Sequence, residues 1–188
     1  MKIANNVEML EIEGERGVLY PVLIWDDDHL VLVDTALPGQ TELLKEAISK
    51  AGFSLEKITN VIITHQDMDH IGSAKTLAEL GAEILAHETE TPYIQGDETS
   101  LRITDMEKHL NKLNDGEHAF YERMKKGAPY FYVHVDRLLS DKETLDICGG
   151  IRVLHTRDMA EAQISFEKLM NNKPQAMVCY HGGYTLIG

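Results

Sequence analysis

The strongest signal in this 188-residue sequence lies at residues 64–72, which read Thr64-His65-Gln66-Asp67-Met68-Asp69-His70-Ile71-Gly72. Two histidines and two aspartates fall within six residues, directly after the apolar run Val61-Ile62-Ile63. A short continuous apolar run predicts a strand buried on both faces, and ligand sites of open α/β sheets lie at the carboxyl ends of such strands. Imidazole and carboxylate groups are ligands for zinc, iron or manganese. We therefore predict a metal site here, in preference to a loop that is polar by chance.

The sequence on either side of this segment predicts alternating strands and helices. Upstream, Val18–Trp25 and Leu30–Val33 are rich in β-branched residues and are separated by a polar turn. Thr41–Ala51 has apolar residues at helical spacing and is followed by a glycine stop signal. Downstream, Ser73–Leu80 has a helical pattern and Glu83–Ala86 a strand pattern. This order predicts an α/β fold.

Residues 91–130 differ in character, because they are polar and charged and contain few β-branched residues. We predict a helical insertion or lid here, with a helix from about Thr104 to Lys125, inside one domain covering residues 1–188. Strands are predicted again at Phe131–Val135 and Ile151–Leu154. The aromatic residues Tyr121, Tyr130, Phe131 and Tyr132 either pack the insertion onto the sheet or line a substrate pocket, with packing as the default.

The composition predicts a soluble globular protein without nucleic-acid or membrane partners. The 18 basic and 31 acidic residues give a net charge of −13, and 43% of the residues are hydrophobic. A nucleic-acid binder normally has a basic footprint, and an acidic chain does not adsorb to anionic lipid. The apolar runs are too short to span a bilayer, and the polar start at Met1–Asn6 does not resemble a signal peptide. Cys148 and Cys179 form no metal or redox spacing, so we expect a reduced, cytoplasmic protein.

The segment at residues 64–72 resembles the H-x-H-x-D-H signature of the metallo-β-lactamase superfamily. Leu32–Thr35 with the following Pro38-Gly39, and the closing Tyr180–Gly183, resemble other family segments and occur in the family's order. The resemblance implies an αββα sandwich with a metal site between two sheets. It also implies hydrolysis of a small-molecule substrate, since members mostly hydrolyse lactams, lactones, thioesters or phosphoesters.

The resemblance assigns a role to each matching residue. It implies that His65 and Asp67 bind a first metal ion and that Asp69, His70 and His181 bind a second. Asp34 resembles the aspartate that orients the ligands by hydrogen bonding. Zinc is expected, as one or two ions. Most members have histidine at the position of Asp67, and a carboxylate there favours iron or manganese more than an all-imidazole site would.

The sequence departs from the family after Thr156. The family continues with P-G-H-T-P-G-H, whose middle histidine is a metal ligand, but this chain reads Arg157-Asp158-Met159-Ala160-Glu161-Ala162-Gln163. The bridging aspartate of a later Gly-Asp pair is also missing, since no such pair follows Thr156. We interpret Asp158–Met170 as the helix that normally precedes the last strand, so that a segment on the order of 40 residues is lost. A second half shortened in this way exposes sheet edges, which favours a homodimer with exchanged elements.

Three functions follow from the resemblance. The leading hypothesis is a metal-dependent hydrolase in which metal-bound hydroxide attacks an ester, thioester or lactone, with Asp69 orienting the nucleophile. The alternative is an impaired member that keeps the fold and at most one metal, and acts as a scaffold or binding module. A third, weaker hypothesis is diiron redox chemistry. His87, at the end of a predicted strand, is interpreted as part of a surface turn in preference to a substrate contact.

Overall fold

The structure is a computed structural model that describes the backbone of residues 1–14, 17–158, 161–170, 173–181 and 184–187, and the side chains of residues 1–14 and 17–155. Its strands are β1 (Lys2–Ala4), β2 (Val7–Met9), β3 (Ile12–Gly14), β4 (Gly17–Leu19), β5 (Val22–Trp25), β6 (Leu30–Val33), β7 (Asn60–Ile63), β8 (Glu83–His87), β9 (Arg137–Leu139), β10 (Thr144–Leu145), β11 (Ile151–Asp158), β12 (Glu161–Met170), β13 (Lys173–His181) and β14 (Tyr184–Ile187). Its α-helices are α1 (Thr41–Lys50), α2 (Met68–Ile71), α3 (Ala74–Glu79), α4 (Thr91–Gln95), α5 (Leu101–Lys108) and α6 (Asp115–Gly127).

The larger sheet has the strand order β1-β2-β5-β6-β7-β8-β9. Its first half is antiparallel, whereas β6, β7, β8 and β9 pair in parallel. Parallel neighbours need a crossover connection, and α1 supplies one between β6 and β7 while α3 supplies the next. The carboxyl ends of β6, β7 and β8 therefore meet at one edge of the sheet.

Alternate residues of these strands face two different layers. Leu32, Val61 and Ile84 belong to a buried cluster that includes the apolar faces of α1 and α3. Their neighbours Val31, Ile62 and Leu85 belong to a second cluster, together with Ile151 and Val153 of β11. The larger sheet is thus covered by helices on one face and by the sheet β10-β11-β12-β13-β14 on the other.

This layering confirms the predicted α/β sandwich. In the part of the chain that the structure describes, no helix follows residue 130. No helix in the described ranges combines the length and apolarity that a membrane span requires.

The predicted helix at Asp158–Met170 is wrong. Residues 151–158 and 161–170 are the antiparallel strands β11 and β12, and β12 also pairs with β13. The reason is visible in the sequence, because Ala162, Ile164 and Phe166 alternate with polar residues and so fit a period of two as well as a helical period. Pairing with β11 and β13 provides hydrogen-bond partners for the backbone of β12, and this pairing outweighs the weak helical spacing of its apolar residues.

Two further sequence predictions are corrected between residues 104 and 135. The single helix predicted at 104–125 is divided into α5 and α6, because Asn114 caps α6: its Oδ1 accepts from the Glu117 amide at 3.0 Å, and Glu117 accepts from the Asn114 amide at 2.7 Å. The predicted strand Phe131–Val135 is not a strand. The Val133 amide donates to the Ile94 carbonyl at 3.2 Å, so this segment runs across α4 and the sheet resumes at β9.

Candidate metal centre

The site begins where β6 and β7 end side by side. Asp34 follows β6, and its amide donates to the Ile62 carbonyl at 3.0 Å. Asp34 has a φ of +61°, a left-handed conformation that aspartate tolerates better than most residues. Its carboxylate accepts from the Thr64 amide at 2.9 Å and from the Thr64 hydroxyl at 2.8 Å. These bonds join the two strand ends and place the histidine loop, residues 64–72, beside Asp34.

The histidine loop brings four of the predicted ligands together. His70 is buried, with its Nδ1 2.9 Å from Asp34 Oδ2 and its Nε2 3.3 Å from Asp69 Oδ2. The rings of His65 and His70 are 3.9 Å apart, centroid to centroid. His65 Nε2 lies 3.7 Å from Asp67 Oδ2. Imidazoles and carboxylates therefore alternate within one small volume, as the spacing predicted.

Electrostatics hold both loop carboxylates in the ionised form that a metal requires. Burial opposes ionisation of Asp69, but the hydrogen bond and charge of His70 outweigh it and lower the pKa of Asp69 to about 2. Burial also opposes ionisation of Asp67, and the neighbouring His65 lowers the pKa of Asp67 below its ordinary value. Burial would lower the pKa of His70, but the carboxylates of Asp34 and Asp69 raise it to about 10. The polar groups of the loop thus compensate one another's charge.

Close packing against the segment after Asp34 fixes the position of the loop. The Thr35 hydroxyl donates to the His70 carbonyl at 2.7 Å, and the Gly72 amide donates to the Ala36 carbonyl at 3.1 Å. A Cβ atom on Gly72 would lie 2.3 Å from Pro38 N. Only glycine fits at the end of this loop.

The helical insertion, residues 91–130, contacts the loop from outside. Met68 packs against a small buried cluster formed by Ile103, Tyr121 and Met124. Arg102 Nη2 lies 3.8 Å from Asp67 Oδ2. Neither Met68 nor Arg102 is predicted from the sequence as a site residue. Met68 occupies a variable position of the motif, and no local pattern marks Arg102.

A groove of about 790 Å³ opens beside the loop. We call it the loop–insertion groove; its apolar lining includes Leu37, Leu43, Met68, Phe120, Met124 and Phe131. Glu13 and Arg123 supply charges, and the Arg123 guanidinium lies 5.7 Å from the centre of the Phe120 ring. Three of the aromatic residues predicted to pack the insertion or line a pocket have different surroundings. Phe131 packs against the main core and also lines this groove, and Tyr121 lies in the buried cluster of the insertion. Tyr130 is exposed.

The interpretation of His87 as part of a surface turn is wrong. His87 is only 2% exposed, and its ring stacks on that of His155 with the centroids 4.1 Å apart. A contact between residues this distant in sequence leaves no local signal.

The residues of the loop fit a divalent metal ion in type, and the carboxylates of Asp67 and Asp69 are held in the ionised form. Two imidazoles and two ionised carboxylates lie together, and Asp34 orients His70 in the way that carboxylates orient metal-binding histidines. Within the described side chains, however, no three of these groups are arranged as a finished metal site. The predicted ligand His181 ends β13, and its side chain lies outside the described residues.

Comparison with known proteins identifies the family. The family profile described as the metallo-beta-lactamase superfamily matches residues 17–172. The chain belongs to this superfamily. The structure is similar to a metallo-beta-lactamase from Cronobacter sakazakii, with a TM-score of 0.69 and 18% identity over 96% of this chain. It is also similar to a metallo-beta-lactamase family protein from Thermus thermophilus, with a TM-score of 0.69 and 20% identity over 88% of this chain.

Two relatives from Bacillus subtilis (strain 168) match part of this superfamily member. The "Uncharacterized protein YobT" is 35% identical over 89 residues, which cover 45% of this chain and 36% of the relative. The "Probable metallo-hydrolase YybB" is 31% identical over 101 residues, which cover 52% of this chain and 44% of the relative. The chain spans 62% and 56% of the two solved structures. This difference in length is consistent with the predicted loss of a family segment.

Proposed function

We propose that this superfamily member is a metal-dependent hydrolase that cleaves a small ester, thioester or lactone. The observation that carries the proposal is the histidine loop, where His65, Asp67, Asp69 and His70 lie together beside the Asp34 carboxylate. A zinc ion, or iron or manganese, held by these residues would supply a nucleophile from water near neutral pH and polarise the scissile carbonyl.

The chain's own residues then have separable tasks. Asp34 fixes the His70 ring through Nδ1, which leaves Nε2 directed at Asp69. Asp69 is one-third exposed and stays ionised, so its carboxylate orients the attacking water by accepting a hydrogen bond. A pKa near 2 makes Asp69 a weak base, and its contribution is therefore orientation.

The loop–insertion groove supports a small, largely apolar substrate. Its volume of about 790 Å³ lies in the range of sites for small molecules. Met68, between Asp67 and Asp69, lines the groove, so a ligand bound there lies next to the proposed metal ligands. Arg123 offers a cation to a carboxylate or another anionic group of the substrate.

A hydrolysis screen with paired variants tests this function. The wild-type chain, loaded with Zn²⁺, Mn²⁺ or Fe²⁺, is assayed against aryl esters, acyl thioesters and lactones. We expect hydrolysis that Asp69→Asn reduces by about 100-fold or more, in the range seen when a group that orients the reaction is removed. Asp27→Asn is the matched control, because Asp27 lies in an exposed turn. Equal activity in Asp69→Asn and the wild type would contradict the proposal.

A second candidate is favoured by the incomplete ligand set. Because the sequence after Thr156 lacks the ligand histidine and the Gly-Asp pair of the family, an impaired member that keeps the fold and at most one metal, and acts as a scaffold or binding module, is the alternative. This alternative predicts substrate-sized ligands bound in the groove without turnover. A screen with no hydrolysis in any metal-loaded sample would favour it.

A further inference from the structure

Arg102 is a cation that the helical insertion places beside a proposed metal ligand. It is the second residue of α5, and its Nη2 lies 3.8 Å from Asp67 Oδ2. The side chain of Asp67 is 19% exposed and that of Arg102 is 52% exposed. The proposed hydrolysis gives Arg102 no task, although its charge faces the loop that would hold the metal.

The contact between Arg102 and Asp67 lies between two other contacts of the loop with the insertion. On one side, the Leu101 amide donates to Gln66 Oε1 at 3.3 Å. On the other side, Met68 packs against the buried cluster of the insertion. The start of α5 therefore rests on the segment that carries Asp67, and the charge pair is at the centre of this contact.

A metal ion and the Arg102 guanidinium would share the carboxylate of Asp67. A zinc–carboxylate bond is about 2 Å long, so an ion held by Asp67 would lie within about one Debye length of Arg102. Two cations at that distance repel each other, and salt screens the repulsion only in part at low ionic strength. The carboxylate that attracts Arg102 is thus the one that the ion would neutralise.

We propose that Arg102 competes with the metal ion for Asp67 and so couples metal affinity to the packing of α5 on the histidine loop. The proposal rests on the metal centre of the proposed function, but not on hydrolysis. Packed α5 lowers the affinity of the loop for metal. Because a coupling between two binding events is reciprocal, bound metal weakens the packing of α5 by the same factor.

The coupling reaches the substrate groove. Met68 of the loop and Met124 of α6 both line the loop–insertion groove, and both belong to the contact between loop and insertion. A shift of the insertion on metal binding therefore changes the wall that a substrate would contact.

Zinc affinity measured against a chromophoric chelator tests the competition. The proteins are the wild type, Arg102→Gln, the charge-conserving Arg102→Lys and the control Lys108→Gln. Lys108 is exposed at the end of α5, about 9 Å along the helix from Arg102. We expect Arg102→Gln to bind zinc about 5-fold more tightly than the wild type, the upper end of what an exposed ion pair contributes, and the other two variants to stay close to the wild type.

The salt dependence separates charge competition from a structural effect. The gain in Arg102→Gln is expected to shrink when NaCl is raised to about 1 M, where the Debye length falls to about 3 Å. A gain that does not depend on salt, or an unchanged or weaker zinc affinity in Arg102→Gln, would overturn the proposal.

Hydrogen exchange on the wild-type chain tests the reciprocal effect without any substitution. Saturating Zn²⁺ is expected to speed amide exchange at residues 101–108, and unchanged or slower exchange there would overturn the proposal. Zinc binding that His65→Ala weakens, with equal affinities in Arg102→Gln and the wild type, would overturn this proposal alone. A wild-type chain that binds no zinc would overturn it together with the metal centre.

Discussion

At the scale of single residues, Asp34 organises the candidate metal centre. Its carboxylate binds the amide and hydroxyl of Thr64 and lies 2.9 Å from His70 Nδ1. Its φ of +61° places the carboxylate between the ends of two parallel strands. One residue thus joins the strand edge to a proposed metal ligand.

Replacing this carboxylate is expected to weaken metal binding more than folding. Asp34→Asn keeps a residue that tolerates positive φ, but it removes the charge that faces His70. Loss of such an orienting group typically costs about 10–100-fold in metal affinity, and we expect a loss of that size in chelator competition. Asp27→Asn is the control. Wild-type affinity in Asp34→Asn would show that the contact to His70 has no bearing on the metal.

At the scale of structural elements, the histidine loop and the segment at residues 34–38 form one unit. The two segments exchange backbone and hydroxyl hydrogen bonds, and Gly72 lies directly on the backbone of Pro38. The position of the loop therefore depends on the absence of a side chain at residue 72.

Gly72→Ala is expected to destabilise the chain by about 3 kcal/mol, because its Cβ would overlap backbone atoms that cannot move aside. The matched control is Gly116→Ala near the start of α6, for which we expect a change of less than about 1 kcal/mol. Urea unfolding of both variants measures the difference. Equal stabilities would contradict the close packing at residue 72.

A second element-level contact joins the two sheets through a turn. The Asp26 carboxylate, between β5 and β6, accepts from the amides of Asp28 at 2.9 Å, His29 at 2.7 Å and Cys148 at 2.7 Å. Burial alone would raise the pKa of Asp26, but these hydrogen bonds lower it below its ordinary value of 3.8. The folded state therefore binds a proton at the Asp26 carboxylate less tightly than the unfolded state does.

The sign of the resulting pH dependence follows from linkage. Asp26 contributes stability above pH 3.8, and this contribution is lost as the pH falls through the lower pKa of the folded state. We expect Asp26→Asn to be less stable than the wild type by on the order of 1 kcal/mol at about pH 6, with a smaller difference at about pH 3. Asp27→Asn, in the same turn, is expected to follow the wild type. A difference that is equal at both pH values would contradict the role of the carboxylate charge.

The elements that the sequence predicts well are those with an unambiguous period. The apolar runs of β6 and β7 and the spaced apolar residues of α1 each fit one structure only, and their predicted bounds are close to those observed. Residues 158–170 fit two periods, so pairing with β11 and β13 decides the outcome. The histidine loop is visible in the sequence because its ligands are adjacent, whereas the contact of His87 with His155 depends on the folded topology.

At the scale of the whole molecule, the helical insertion and the sandwich together make a binding groove. Phe120, Arg123 and Met124 come from α6, while Leu37 and Leu43 come from the sandwich side. The superfamily resemblance predicted the sandwich and the loop, but it did not predict this groove, because the insertion's packing depends on side chains with no family pattern.

Arg123 is expected to select anionic substrates in this groove. We expect Arg123→Ala to raise KM about 10-fold for an apolar ester that carries a carboxylate, with little change in kcat, because the residue contributes a charge-assisted contact. Lys126→Ala, also on α6, is the control for general loss of charge. An equal loss for a neutral ester of the same size would contradict this assignment.

The most direct test of the account is the metal content of the loop itself. Elemental analysis is made on wild-type protein purified without chelator and on the double variant His65→Ala with Asp69→Asn, with His118→Gln as the control. We predict that the double variant holds at least one zinc, iron or manganese ion fewer per chain than the wild type and the control. Equal metal content in all three proteins would contradict the claim that the histidine loop is a metal centre.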